Sequence, residues 1–325
     1  MTFQQLTYVV EIAKCGSINK AAHKLLLSQS GISTAVRELE QELGIRFFVR
    51  SNRGVECTPE GREFLSYAVS LLEQKQRIES LYGSQSAAAP TRFSVSTQRY
   101  PFTEDAFVRL LRQADPASRF SLKEDSMDAV INDVFERQSD IGVISLTELT
   151  EKIICRMLDT RDLQFHEIAS VDPCVYVRSG HPVLSLPAIT EEDLAPFPYV
   201  SFEQTQGVAA DFSEEYQMLS MKRSEQSVRV NSRSVMMSVL ERTDGFTTGS
   251  GLLTPGLSPE QVVSAPLAGK PVIRLGYILP RGGKPTAETE RFVRHLTGAV
   301  ADAICYTQAL HRRLGVGGAV PDQIF

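Results

Sequence analysis

The residues best able to do chemistry in this chain lie between positions 28 and 41, and that chemistry is recognition by hydrogen bonding. Ser28, Gln29, Ser30, Ser33, Thr34, Arg37 and Gln41 offer hydroxyls, amides and one guanidinium. At about 100° per residue, Ile32, Val36, Leu39 and Leu43 gather on one side of a helix. Ser30, Thr34, Arg37 and Gln41 then point the opposite way, flanked by Gln29 and Ser33. Small polar groups and an arginine near a helix start suit base edges in a DNA major groove and the phosphates beside it. Glu38, Glu40 and Glu42 follow, where such a helix would leave the groove. A solvated helix face has the same composition, so the neighbouring elements must discriminate.

Those elements carry dense punctuation. Thr2 and Gln5 form a capping box ahead of Leu6, Val9, Val10 and Ala13, and Gly16 ends that helix. Ser17 caps a second helix with an apolar face of Ile18, Ala21, Ala22, Leu25 and Leu26, and Ser28 caps the third, which Gly44 stops. Helices this short are stable only when packed together. Ile45–Phe48 and Val55–Cys57 flank a basic Asn/Gly turn and predict a β-hairpin, with Arg50 and Arg53 at its tip for phosphates or the minor groove. Thr58-Pro59 then starts a helix whose Leu65, Ala68, Leu72, Ile78 and Tyr82 approach a heptad seam.

Ala21-Ala22, Leu26, Ser28-Gln29-Ser30, Ser33, Arg37-Glu38-Leu39-Glu40, Leu43-Gly44, Phe47-Phe48, Arg50 and Thr58-Pro59-Glu60-Gly61 together resemble the DNA-binding signature of LysR-type transcriptional regulators. The likeness runs from about residue 3 to residue 82. Ser30 stands where that family usually has proline, and Asn19-Lys20 where serine-arginine is common, which bears on the sequence read rather than on the fold.

Beyond the small, polar Gly83–Pro90 stretch, strand-like and helical runs alternate, as in parallel sheets with crossovers. Arg92–Thr97, Arg119–Glu124 and Ile141–Ser145 read as strands, Phe102–Gln113 and Met127–Arg137 as helices, and the pattern restarts near Leu163. This layout resembles the effector domain of the same family, which is similar to a two-lobe periplasmic binding protein. Ligands of open α/β lobes bind beyond the carboxyl ends of strands. There the sequence places Thr97, Gln98, Ser145, Ser201, Glu203, Asn231, Thr247 and Thr248, the hydroxyls and amides of a hydrogen-bonding pocket. Ser and Thr at such places also serve as helix caps. The family lines its cleft at positions matching Thr97, Gln98 and Thr247. Arg99 suits an exposed ion pair better than an anionic ligand.

Composition narrows the remaining classes. The chain has 325 residues, 42 % of them hydrophobic and 22 % charged, which is ordinary for two or three globular domains. No apolar run approaches the roughly 18 residues that cross a bilayer, and the first residues lack the pattern of a secretory signal. The net charge is −5, with +1 on residues 1–83 and −6 on the rest, so DNA affinity must come from arrangement rather than total charge. Five scattered cysteines read as reduced, mostly packed thiols. The five histidines show no metal spacing, there is no GxSxG elbow, and neither Gly249-Ser250-Gly251 nor Gly282-Gly283-Lys284 completes a nucleotide-binding loop.

The fold class expected is α/β overall: a mainly α winged helix-turn-helix over 1–58, a linker and dimerisation helix over 59–83, and a hinge over 84–91. Effector lobe I is expected at 92–163 with 268–312, lobe II at 164–267, and a tail at 313–325. The resemblance implies a cytoplasmic, non-enzymatic regulator without cofactor that binds double-stranded DNA at an interrupted inverted repeat. It also implies a small-molecule effector, self-association into dimers and tetramers, RNA polymerase as a further candidate partner, and no membrane. A solute-binding protein, or an enzyme using the two-lobe cleft, is the alternative.

Overall fold

The computed structural model describes residues 1–51, 54–82, 91–203 and 226–315, in two units, Met1–Ala89 and Pro90–Phe325. In the first, caps set the helix ends. Helix α1 (Phe3–Cys15) starts at the Thr2–Gln5 capping box and stops at Gly16, φ +60°. Ser17 caps α2 (Ile18–Lys24), Ser28 caps α3 (Gln29–Leu43), and Gly44 ends α3 at φ +69°. The three bury Val9, Ile12, Ala21, Ala22, Ile32 and Leu39 around Phe47. Strands β1 (Phe48–Ser51) and β2 (Gly54–Cys57) form the expected antiparallel hairpin, and α4 covers Pro59–Tyr82.

Four local expectations change. Leu26 leaves the inner face of α2: that helix ends at Lys24, and the turn puts Leu26 at φ +55° and 90 % exposed. Leu43 is also exposed, because it lies past the packed part of α3. Arg50 is not at the hairpin tip but within β1, opposite Val55, while Arg53 lies outside the described residues. Leu65, Ala68 and Leu72 of α4 pack with Leu6 and Val10 of α1 rather than forming a free seam. Among the described side chains of that helix, Tyr67, Val69, Leu71 and Ile78 are exposed large hydrophobics.

The second unit begins with β3 (Arg92–Thr97), α5 (Pro101–Leu111), β4 (Arg119–Glu124), α6 (Met127–Phe135), β5 (Ile141–Thr147), α7 (Glu148–Thr160) and β6 (Leu163–Val171). Strand β3 runs parallel to both β4 and β5. Late in the chain, β12 (Ile273–Pro280) inserts antiparallel between β5 and β6, completing the order β4-β3-β5-β12-β6. Phe93, Val95 and Val143 pack with α5 and with α10 (Ala287–Leu314), whereas Ile144 and Leu146 pack with α6 and α7. The lobe boundary expected at 163/164 is therefore too early. Strand β6 pairs with β12 from Leu163 to Val171, so lobe I runs through Val171.

Lobe II holds β7 (Cys174–Arg178), α8 (Glu191–Leu194), β8 (Tyr199–Phe202), β9 (Ser227–Val230), α9 (Arg233–Arg242), β10 (Thr247–Gly249) and β11 (Val262–Pro266). Strands β10 and β11 flank β7 antiparallel, while β8 runs parallel to β9 and meets Phe246 in a parallel bridge. Helix α10 serves both lobes: Phe292 and Leu296 sit in the first core and Leu310 in the second. The expected hinge over 84–91 lies almost wholly, and the expected tail mostly, outside the described residues.

Two histidines are buried, His181 in lobe II and His311 near the end of α10. Val183 N donates to His181 Nδ1 at 3.3 Å and His181 Nε2 lies 3.0 Å from the Asp244 carbonyl oxygen, so the ring is neutral with its proton on Nε2. His311 Nε2 lies 3.0 Å from Ser264 Oγ. Burial lowers the pKa of both rings. A lowered folded-state pKa contributes stability above the unfolded value, about 6.5, and that stability is lost as pH falls through the folded value. The melting temperature is expected to fall between about pH 7 and about pH 5. The fall should shrink in His311→Gln, and an identical profile in that variant would remove His311 as a cause.

Candidate nucleic-acid interface and effector site

The outer face of α3 is built by its inner one. Ile32 and Leu39 are fully buried and Val36 nearly so, which forces Gln29, Thr34 and Arg37 outward into exposed positions, with Ser33 half-buried. Among the described residues none of these four side chains has an intramolecular hydrogen-bond or ion-pair partner. Ser28 Oγ accepts from Gly31 N at 3.1 Å and Ser30 Oγ donates to Ser28 Oγ at 3.4 Å, so these two hydroxyls are engaged at the cap. The first turn of α3 carries no acidic residue, leaving the positive end of its dipole unopposed. Two of the glutamates further along have other work. Glu40 Oε1 accepts from Phe47 N at 2.7 Å, and Glu42 pairs with the Met1 ammonium at 2.7 Å.

Behind this face the hairpin and α4 are tied to the helices through backbone. Val55 N donates to the Gly16 carbonyl at 2.9 Å, and a Cβ on Gly54 would stand 2.5 Å from that oxygen. Thr58 Oγ1 donates to the Arg46 carbonyl at 2.5 Å and accepts from Gly61 N at 2.8 Å. Gly61 lies so close to β1 that a Cβ there would meet the Phe47 carbonyl oxygen at 2.2 Å. The Thr-Pro-Glu-Gly motif is thus a clamp between α4 and the hairpin. The side chain of Arg50, like all of Arg53, lies outside the described residues.

In the second unit the expected effector residues gather at strand ends. In lobe I, Thr97 Oγ1 donates to the Gln98 carbonyl at 2.7 Å. Gln98 Oε1 accepts from Ser145 N and from the Tyr100 hydroxyl, both at 3.0 Å, which ties β3 to β5. In lobe II, Ser201 and Thr248 are buried, whereas Glu203 and Asn231 are exposed. Ser145 Oγ and Thr247 Oγ1 are buried without a hydrogen-bond partner. A buried hydroxyl left unpaired costs roughly 1–3 kcal/mol, so these two oxygens are the natural points for a ligand to satisfy.

Two links join the lobes here. Arg99 Cζ stands 4.2 Å from the centroid of the Phe202 ring, a stack in place of the exposed ion pair expected for it. Arg233 Nη2 donates to Glu104 Oε2 at 2.6 Å. Arg233 lies within the Asn231–Ser234 strand end that the sequence singles out, whereas Glu104 and the pairing itself are not foreseen. The signal available was Arg233 directly after the Ser232 cap, at the end of β9.

All five cysteines are free, and burial pushes the Cys174 thiol up to about 12. Among the described residues no group of three or more His, Cys, Asp or Glu could hold a metal ion, and no helix is long and apolar enough to cross a membrane.

Comparison with known proteins matches residues 3–62 to the bacterial regulatory helix-turn-helix proteins of the lysR family and residues 106–301 to the LysR substrate binding domain. The chain belongs to the LysR family of transcriptional regulators. That family is one of regulators rather than enzymes. Among its relatives, the HTH-type transcriptional regulator ClcR of Pseudomonas putida is 31 % identical over 158 residues, covering 48 % of this chain and 54 % of that protein. The regulator cbl of Escherichia coli K12 is 27 % identical over 210 residues, 63 % of each. The chain thus spans between half and two thirds of the length of these relatives. Full-length CbnR complexed with its target DNA shares the fold at a TM-score of 0.59 and 18 % identity, covering 92 % of this chain and 100 % of that one. A full-length OxyR variant from Pseudomonas aeruginosa does so at 0.53 and 19 %, covering 93 % and 99 %.

The clamp at Gly61 makes a sharp test of how this LysR-family N-terminal unit is held. Gly61→Ala must displace backbone rather than a side-chain tip and should cost about 3 kcal/mol, the upper range for overpacking. Chemical denaturation followed by helix signal measures it, and a change below about 1 kcal/mol would show that the clamp yields.

Proposed function

We propose that this LysR-family chain is a sequence-specific regulator that reads duplex DNA with α3 and is controlled by a small-molecule effector held at the strand ends of its second unit. The observation that carries the reading is the outward face of α3, where Gln29, Ser33, Thr34 and Arg37 stand with their donors and acceptors unengaged by the described residues. Unpaired groups at a helix start, with no acidic residue in the first turn, suit base edges and phosphates. Ser28 and Ser30 contribute at the cap, and Arg50 and Arg53 of the hairpin supply phosphate contacts. Regulation requires that the effector bind two arrangements of the protein with different affinity.

Self-association follows from α4. Tyr67, Leu71 and Ile78 form an exposed apolar line that pairing with a second copy would cover. Two α3 helices carried by such a dimer read an interrupted inverted repeat. Further association into tetramers, contact with RNA polymerase at the promoter and a cytoplasmic location belong to the same reading, as does the absence of any cofactor besides the effector.

Arg37→Ala and Gln29→Ala are each expected to weaken binding to the native operator by roughly 1–3 kcal/mol and to relax specificity. Mobility-shift titration at fixed salt measures this, and native affinity in both variants would overturn the assignment of α3. Tyr67→Glu should sediment as a monomer. A dimer of wild-type strength in that variant would move the self-association surface off α4.

A further inference from the structure

The four charged groups at the facing strand ends come from four different elements. Arg99 follows β3, Glu104 lies in the first turn of α5, Glu124 ends β4, and Arg233 opens α9. Arg233 Nη2 is bonded to Glu104 Oε2, but Nη1 of the same guanidinium is buried with no acceptor. A guanidinium presents its donors as a planar fork suited to both oxygens of a carboxylate. Here only one arm of that fork is filled, and it is filled from the other lobe. Glu104 is the more exposed member, with 37 % of its side chain accessible against 17 % for Arg233, so rehydrating the carboxylate takes a smaller displacement than rehydrating the guanidinium.

The surroundings favour a negative group in that place. Arg233 is the first residue of α9, where the helix dipole is positive, and its Ser232 cap is in place. Glu124 is coupled to the same cluster. Its carboxyl is held above the ordinary range by desolvation, with Arg233 and Arg99 pulling against this and Glu104 adding to it.

We propose that Arg233 is the anion receptor of the effector site and that Glu104 is a built-in competitor: the effector carries a carboxylate that takes the Arg233 fork and displaces Glu104, releasing an ion-pair latch between the lobes. This rests on the strand ends being the effector site. In the unliganded chain the latch and the Arg99–Phe202 stack hold one arrangement of the lobes. A carboxylate that breaks the first link favours another, which supplies the differential affinity that control demands.

Acetate is the probe, read by thermal melting of the full chain with chloride exchanged for acetate at constant ionic strength. Glu104→Gln removes the competitor and is expected to show the acetate-dependent rise in melting temperature at a concentration about tenfold lower than wild type. Arg233→Gln and the double variant should show no rise. If Glu104→Gln does not fold, Glu104→Asp, which shortens the latch by one methylene, gives the same reading. An acetate response equal in wild type and the Glu104 variant, or one retained in Arg233→Gln, overturns the proposal. A metabolite whose stabilising effect is lost in Thr247→Val yet unaltered in both Glu104→Gln and Arg233→Gln would uphold the effector site and still overturn the receptor.

Discussion

Burial of one stripe of α3 is the constraint from which the DNA-facing half of the chain follows. Ile32, Val36 and Leu39 enter a core shared with Val9, Ile12, Ala21, Ala22 and Phe47. A helix so pinned has no rotational freedom left, and its opposite face must go to water. Burial therefore selects what solvent, or DNA, meets: the Gln29 amide, the Ser33 and Thr34 hydroxyls and the Arg37 guanidinium, which nothing else in the described unit engages. The hairpin and α4 are in turn held to this core by backbone contacts at Gly16 and Phe47, approached so closely by Gly54 and Gly61 that a Cβ on either would strike them. Rigid backbone junctions suit a reading head, because a small displacement of α3 would misplace every contact at once.

The second unit works by different physics. Its parallel strands end in hydroxyls and amides, some of which tie the sheet together and some of which are left without partners. Gln98 shows the first use, joining β3 to β5 through Ser145 N and the Tyr100 hydroxyl. Ser145 Oγ and Thr247 Oγ1 show the second. A protein that keeps buried hydroxyls unpaired gives up stability at those points, as binding sites commonly do. At the strand ends the described residues tie the lobes by an ion pair and a cation–π stack, while helix α10 packs into both cores. Such links make a joint that a small ligand can reset.

The local features of the fold were legible in the residues themselves. Helix starts at Thr2, Ser17 and Ser28, stops at Gly16 and Gly44, and the Thr58-Pro59 start of α4 depend on neighbours a few positions away, and the structure has each of them where its chemistry puts it. The polar face of α3 was legible for the same reason, since helical period maps spacing directly onto direction. Leu26 marks the limit of that mapping. It continued the apolar pattern of α2, but the turn to α3 needed a left-handed residue and placed Leu26 in water.

What tertiary structure alone decided are the pairings between distant segments. Strand β6 reads as the start of a new lobe until β12, more than a hundred residues later, claims it for the first sheet. Leu65, Ala68 and Leu72 read as a seam for a partner until α1 occupies them. Glu104 and Arg233, 129 positions apart, carry no mark in sequence that they will meet. Caps and helical faces are set by short-range sterics and hydrogen bonds, so residue order is enough to find them. Strand partners and ion pairs between lobes depend on which surfaces remain uncovered once the chain has folded back on itself, and that competition is resolved only in three dimensions.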